Sequence, residues 1–189
     1  MDSLAANLIE ALVLGVALAM DAMAVTLSNA LCEPGMPRAK KLAMPIMFAL
    51  FQMGMPILGY CGGTLIAPII EAYAGIVSLA ILGFVGGKMI VEAVRELREP
   101  ESCSTEGLTY RTIFFEAIAT SIDAFVVGVS LAASGANMVL YGGAIGVTTL
   151  VCCLIVLVIG RRLGSHFGPK AEVVGGIVLI IIGLKAFFS

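Results

Sequence analysis

Two aspartates lie near the middle of long apolar runs, where an ionised side chain is costly. Asp21 falls in the run from Leu8 to Leu31, and Asp123 falls in the run from Thr112 to Ala133. A charge at the centre of a membrane helix costs roughly 2.5–3.5 kcal/mol, so such residues face a cavity or a partner and mark ion or proton pathways. An interhelical hydrogen bond is the structural alternative. The occurrence of such an aspartate in two separate apolar runs, each followed by an alanine, favours a functional site.

Further polar residues share a helical face with these aspartates. Along the fourth apolar run the successive spacings are four, three and seven residues, which place the side chains on one face of a helix. The residues are Glu116, Thr120, Asp123 and Ser130. Ser28 follows Asp21 by seven residues, as Ser130 follows Asp123. Serines and threonines alone could form a hydrogen-bond seam between helices, but the acid Glu116 favours a lined path.

Carboxylates grouped at low dielectric repel one another unless a cation lies between them or one of them carries a proton. The residues therefore predict a site that binds a metal cation, protons, or both in turn. Oxygen ligands suit Mg, Ca and Mn, whereas Zn or Cu usually recruits His or Cys. His166, the only histidine, falls in a loop, and Met20 and Met23 beside Asp21 are interpreted as packing residues.

Gln52 is a second candidate ligand, because Gly54 and Pro56 follow it within the second apolar run. Glycine and proline loosen a helix and can free backbone carbonyls to line a cavity. The complete set of predicted metal ligands is Asp21, Asp123, Glu116, Thr120, Ser28, Ser130 and Gln52.

The elements that must position these residues are membrane helices. Of the 189 residues, 60% are hydrophobic and 13% are charged, a composition outside the range of soluble domains. The runs lack the alternation of barrel strands, so the fold class is all-α, a polytopic membrane protein with six transmembrane helices. The predicted helices are Leu8 to Leu31, Leu42 to Thr64, Tyr73 to Val94, Thr112 to Ala133, Met138 to Gly160 and Lys170 to Phe188.

Basic residues alternate between the connecting loops and predict the orientation. The second and fourth loops have no Lys or Arg, and the odd loops carry all the loop cations: Arg38, Lys40, Lys41, Arg95, Arg98, Arg111, Arg161, Arg162 and Lys170. Since basic loops stay in the cytoplasm, both termini are expected on the outer side. Residues 99–111 of the third loop are also acidic and are interpreted as a charged cytoplasmic linker.

The chain is expected to consist of two three-helix repeats, residues 1–98 and 112–189, within one integrated transmembrane domain. The segment from Met20 to Ser28 resembles the segment from Ile122 to Ser130. Because three is an odd number of spans, the second copy enters the membrane from the opposite side. Such inverted repeats build one site near the bilayer midplane.

The other notable residues have structural interpretations. Lys88 and Glu92 are one turn apart and are predicted to pair and snorkel at the cytoplasmic end of the third helix. The five cysteines are interpreted as packing residues. The glycine pairs, for example Gly86-Gly87 and Gly175-Gly176, are expected to permit close helix approach.

The paired aspartate motifs, Leu18-Ala19-Met20-Asp21-Ala22 and Ala119-Thr120-Ser121-Ile122-Asp123-Ala124, resemble the signatures of the MntP (YebN) family of manganese efflux pumps. The resemblance covers nearly the whole chain. It implies Mn²⁺ export across the bacterial cytoplasmic (inner) membrane, with Asp21 and Asp123 needed for transport. It also implies kinship with the lysine-exporter-like superfamily of small transporters.

The sequence therefore predicts a secondary transporter, not an enzyme, with Mn²⁺ as cargo, no resident cofactor and protons as the favoured counter-ion. No GxxxxGK[ST] nucleotide motif occurs, and a net charge of -2 gives no basic face for nucleic acid. Membrane lipid is the other expected partner, and the oligomeric state stays open. The alternatives are a passive divalent cation channel and an intramembrane aspartyl protease, whose GxGD motif is missing at Asp123.

Overall fold

The computed structural model describes residues 2–33, 35–70, 74–98, 108–163 and 167–188. These ranges contain six α-helices and no strand, so the all-α prediction is confirmed for them. Each predicted run forms a helix, with ends that extend beyond the predicted ones in most cases. The helices are α1 (Asp2–Cys32), α2 (Arg38–Ile70), α3 (Ala74–Arg98), α4 (Tyr110–Ala133), α5 (Met138–Leu163) and α6 (Phe167–Phe188).

Four of the helices are long and apolar enough to span a membrane. Within the described ranges four segments meet that criterion, namely Ala5–Cys32, Arg38–Thr64, Tyr110–Ala133 and Met138–Ile159, and α6 adds a shorter apolar segment, Val173–Lys185. Large apolar side chains point outward from all six helices, for example Ile9, Phe84 and Val158, which are 63%, 70% and 81% exposed. Apolar surface this extensive needs lipid around it. The protein is therefore a multi-pass membrane protein.

Helices from the two halves of the chain pack mainly against each other. The helix α1 packs on α5 and α6, α2 packs on α4 and α5, and α3 packs on α6 and α4. By contrast, the consecutive helices α1 and α2 make few contacts. Neither half therefore forms a separate bundle, and the site residues on α1 and α4 are held by helices from both halves.

Polar contacts at the two ends of the bundle show the directions of the helices relative to one another. At one end, Glu33 after α1 accepts a hydrogen bond from the Leu108 amide at 2.9 Å, and Lys40 of α2 donates to the Leu108 carbonyl. At the other end, Lys185 of α6 pairs with Glu10 of α1, and Tyr141 of α5 lies near Glu10. Hence α1 and α4 run antiparallel. The orientation relative to the cytoplasm stays a prediction.

Glycines allow the backbones of α3 and α6 to touch. A Cβ atom on Gly86 would lie 2.4 Å from the Gly176 carbonyl oxygen, and one on Gly176 would lie 2.5 Å from the Gly86 carbonyl oxygen. The second member of the first pair, Gly87, has no atom within 4 Å of such a Cβ. In the pair Gly86-Gly87, close approach is therefore a property of Gly86 alone.

The cysteine prediction is wrong for one residue. Cys32, at the end of α1, is disulfide-bonded, whereas Cys61, Cys152 and Cys153 are free thiols. Cys153 is fully buried in an apolar cluster with Phe48 of α2 and Ile113 of α4, as expected of a packing residue. His166 and residues 99–107 of the predicted linker, which include Cys103, lie outside the described residues.

Gly86→Ala should destabilise the protein, because its Cβ must displace the backbone of α6. We expect a loss of about 1–3 kcal/mol, measured as a lower midpoint of thermal unfolding in detergent. The neighbour supplies the control, since Gly87→Ala meets open space and should be neutral or gain up to about 1 kcal/mol in helix propensity. Equal stability of the two variants would contradict the described crossing of α3 and α6.

Candidate metal site

Gln52 of α2 links the two helices that carry the aspartates. Its side-chain Nε2 donates to the Leu18 carbonyl of α1 at 3.1 Å and to the Thr120 carbonyl of α4 at 3.3 Å. Leu18 and Thr120 each precede an aspartate, Asp21 or Asp123, by three residues. One fully buried amide therefore contacts equivalent positions in both motifs.

The remaining polar atom of this amide is an acceptor in need of a donor or a cation. Gln52 Oε1 is buried and has no hydrogen-bond partner within the described protein. Turning the amide over would set this oxygen against two carbonyl oxygens, so the bonds of Nε2 fix its orientation. Unsatisfied buried acceptors are rare in proteins. Gln52 Oε1 is therefore an acceptor without a donor among the described residues, and its role as a metal ligand stays a prediction.

Asp123 is buried near the middle of α4 and is paired with a lysine. The Lys88 ammonium of α3 lies 3.2 Å from Asp123 Oδ1 and 3.5 Å from Oδ2. The prediction that Lys88 snorkels to the membrane surface is therefore wrong, because it turns inward to the aspartate. The side chain of its predicted partner, Glu92, lies outside the description. Asp123 thus occupies a position where a positive charge is already bound.

Glu116 forms a second polar contact between the aspartate helices. Asn29 of α1 donates from Nδ2 to Glu116 Oε2 at 2.8 Å, and the same nitrogen lies 3.6 Å from the Met44 sulfur of α2. Asp21 precedes Asn29 by eight residues, and Asp123 follows Glu116 by seven. At about 1.5 Å per residue in antiparallel helices, both aspartates lie about 10–12 Å from this contact, at similar depth.

The other predicted ligands lie on these two helices. Thr120 is buried, and its hydroxyl donates to the Glu116 carbonyl at 2.9 Å and to the Ala117 carbonyl at 3.3 Å. Ser130 is buried on α4, while Asp21 and Ser28 are half-buried on α1. The Thr120 hydroxyl thus bonds within its own helix, and only its backbone carbonyl takes part in the contact with Gln52.

A metal site here would need neutral oxygens as well as carboxylates. In the parts of the chain that are described, no three Asp, Glu, His or Cys side chains form a potential set of metal ligands. Asp21, Asp123 and Glu116 therefore do not converge on one ion in this structure. Mn and Mg take six oxygens in octahedral sites. Amide and backbone oxygens, such as Gln52 Oε1, are the available neutral donors.

Sequence reasoning missed two residues at the site, Lys88 and Asn29. Lys88 follows Gly86 by two residues, and Gly86 is the point where α3 crosses α6. The neighbouring glycine pair was therefore the signal that could have indicated a buried position for Lys88. Asn29 directly follows Ser28 of the predicted polar stripe, but the contact with Glu116 depends on how α1 and α4 are registered. That register is a tertiary property, which a single helix pattern does not contain.

Comparisons with known proteins place the chain among membrane transporters. Residues 35–187 match the family model described as "Putative manganese efflux pump". A protein of that name, MntP, from Ruminiclostridium cellulolyticum is 38% identical over 96% of this chain and 95% of its own length. The relative of the same name from Aliarcobacter butzleri is 39% identical over 94% of this chain and 98% of its own. No solved structure matches the chain.

Replacing Gln52 by leucine should weaken the link between α1, α2 and α4. Gln52→Leu removes two hydrogen bonds from a buried position, and we expect a loss of about 1–3 kcal/mol, measured by thermal unfolding in detergent. Thr149→Val is the matched control, because the buried Thr149 hydroxyl donates to a carbonyl of its own helix. A Gln52→Leu protein as stable as the Thr149→Val protein would contradict the bridging role.

Proposed function

The chain belongs to the MntP family of manganese efflux pumps, and from this premise we propose that it exports Mn²⁺ as a secondary transporter through a site built on Asp21 and Asp123. The observation that carries the proposal is the burial of Asp123, beside a bound ammonium, in the middle of an apolar bundle. A buried carboxylate needs a cation beside it. Asp123 is thus a position at which a transported cation can be stabilised inside the membrane.

Asp21 and Asp123 supply the two negative charges that a divalent ion requires. Gln52 Oε1 adds a neutral oxygen from α2, and the Thr120 and Ser130 segments of α4 offer further carbonyl and hydroxyl oxygens. An all-oxygen set with two carboxylates is of the kind that Mn, Mg and Ca accept. Glu116 lies about 10 Å along α4 from Asp123, where it would act as an accessory ligand or proton carrier on the path, together with Ser28 of α1.

An inverted-repeat architecture is part of the proposal, and the helix packing supports it. Exchanging the first three helices for the last three converts the α1–α5 contact into the α4–α2 contact, and the α1–α6 contact into the α4–α3 contact. The contacts α2–α5 and α3–α6 convert into themselves. Gln52 contacts equivalent carbonyls in both halves. The site would then lie on the pseudo-twofold axis near the midplane.

The driving force is proposed to be an ion gradient across the bacterial inner membrane, because the sequence contains no nucleotide-binding motif. Protons are the favoured counter-ion, since a carboxylate can hold a proton in place of a metal ion. With the basic loops in the cytoplasm, both termini lie outside.

Removing either aspartate should abolish transport. We expect Mn²⁺ efflux from loaded proteoliposomes to fall to the protein-free leak in Asp21→Ala and in Asp123→Ala, because one remaining carboxylate cannot neutralise a divalent ion at low dielectric. Glu10→Gln is the matched control on α1, three turns from Asp21, and should retain efflux. Efflux at the native rate in both aspartate variants would refute the proposed site. Channel-sized currents in electrical recordings would favour the passive channel instead.

Proton coupling predicts that an imposed pH gradient changes the rate. With Mn²⁺ inside the proteoliposomes, an acidic outer medium should accelerate efflux, because inward proton flow then drives outward metal flow. The initial rate is measured at fixed internal pH, with the membrane potential clamped by potassium and valinomycin. Rates that are equal with and without the gradient would exclude proton antiport while leaving the metal site intact.

A further inference from the structure

We propose that the Lys88 ammonium is an internal cation that competes with Mn²⁺ for Asp123, so that the metal must displace Lys88 in order to bind. The inference rests on the proposed function, because it concerns the same carboxylate. In this proposal Lys88 weakens metal binding and promotes metal release, a role that a purely structural ion pair does not have.

The geometry allows an exchange between the two cations. Lys88 Nζ lies within hydrogen-bonding distance of both oxygens of Asp123, at 3.2 and 3.5 Å, which are the atoms that would coordinate a metal. The Asp123 side chain is 9% exposed and is fixed on α4, whereas the Lys88 side chain is 37% exposed. A flexible four-carbon stem that is partly exposed can move the ammonium away while the carboxylate stays in place.

Electrostatics makes the two occupants mutually exclusive. An ammonium and a divalent ion on one carboxylate would lie a few ångströms apart in a medium that screens charge poorly, and like charges repel strongly there. Leaving the carboxylate with neither cation is also costly, because an unpaired buried charge loses its hydration. Asp123 should therefore always hold one cation, with Mn²⁺ arriving as Lys88 leaves and Lys88 returning as Mn²⁺ is released.

Two substitutions of Lys88 should change metal affinity in opposite directions. Lys88→Met keeps an unbranched side chain without the charge, so the competitor is lost. We expect at least about tenfold tighter Mn²⁺ binding and a lower maximal rate of efflux, because release loses its assistance. Lys88→Arg supplies a guanidinium that binds a carboxylate in a bidentate manner, and Mn²⁺ binding should weaken.

The experiment measures the Mn²⁺ dissociation constant by calorimetry on the purified protein, and the maximal efflux rate in proteoliposomes, for each variant. Lys185→Met is the matched control, since it removes the lysine of the Glu10 pair between α1 and α6, and it should leave Mn²⁺ affinity unchanged. A purely structural role of Lys88 would lower stability without tightening Mn²⁺ binding.

An Asp123→Asn protein separates failure of this inference from failure of the proposed function. If Asp123→Asn abolishes Mn²⁺ binding while the Lys88 variants bind like the native protein, the competition is wrong and the site stands. If Asp123→Asn binds Mn²⁺ normally, both are wrong. Should Lys88→Met fail to fold, Lys88→Arg decides alone: weaker binding supports the competition, and unchanged or tighter binding overturns it.

Discussion

A carboxylate buried in an apolar bundle must be neutralised, and this requirement governs the arrangement of the helices around Asp123. The Lys88 ammonium meets it in the structure, at 3.2 Å. Lys88 can contact Asp123 because α3 packs against α4 inside the bundle. In that position α3 also crosses α6 closely, at Gly86 and Gly176. In the transport mechanism that we propose, the same requirement means that Asp123 exchanges one cation for another and is never left without one.

The side-chain amide of Gln52 is the second group on which the proposed site depends. It holds α1 and α4 at the turns that precede the two aspartates, and it does so with its two donors, which leaves its oxygen for another partner. A leucine of similar size could pack in this position but could not register the two helices by hydrogen bonds. Since the helices of each half contact the other half more than each other, small shifts between the halves would alter the distance between the aspartates.

The sequence predicts most of the fold, because twenty-residue apolar runs admit only helices in lipid. The sequence also singles out Asp123, Gln52 and Glu116 as candidate metal ligands, which stays a prediction. The residues that contact Asp123 and Glu116 in the structure, Lys88 and Asn29, could not be predicted from the sequence. Lys88 resembles a snorkelling residue until the depth of α3 is known, and Asn29 meets Glu116 only in one register of α1 against α4. Both depend on long-range packing, as does the disulfide of Cys32.

Anomalous scattering from crystals grown with Mn²⁺ would test the central claim most directly, because the metal's position is read without any assumption about transport. The account predicts a manganese peak bonded to carboxylate oxygens of Asp123 and Asp21, with the Lys88 ammonium moved away from Asp123. A manganese ion bound elsewhere, for example between Glu116 and Asn29, with the Lys88–Asp123 pair still intact, would contradict it.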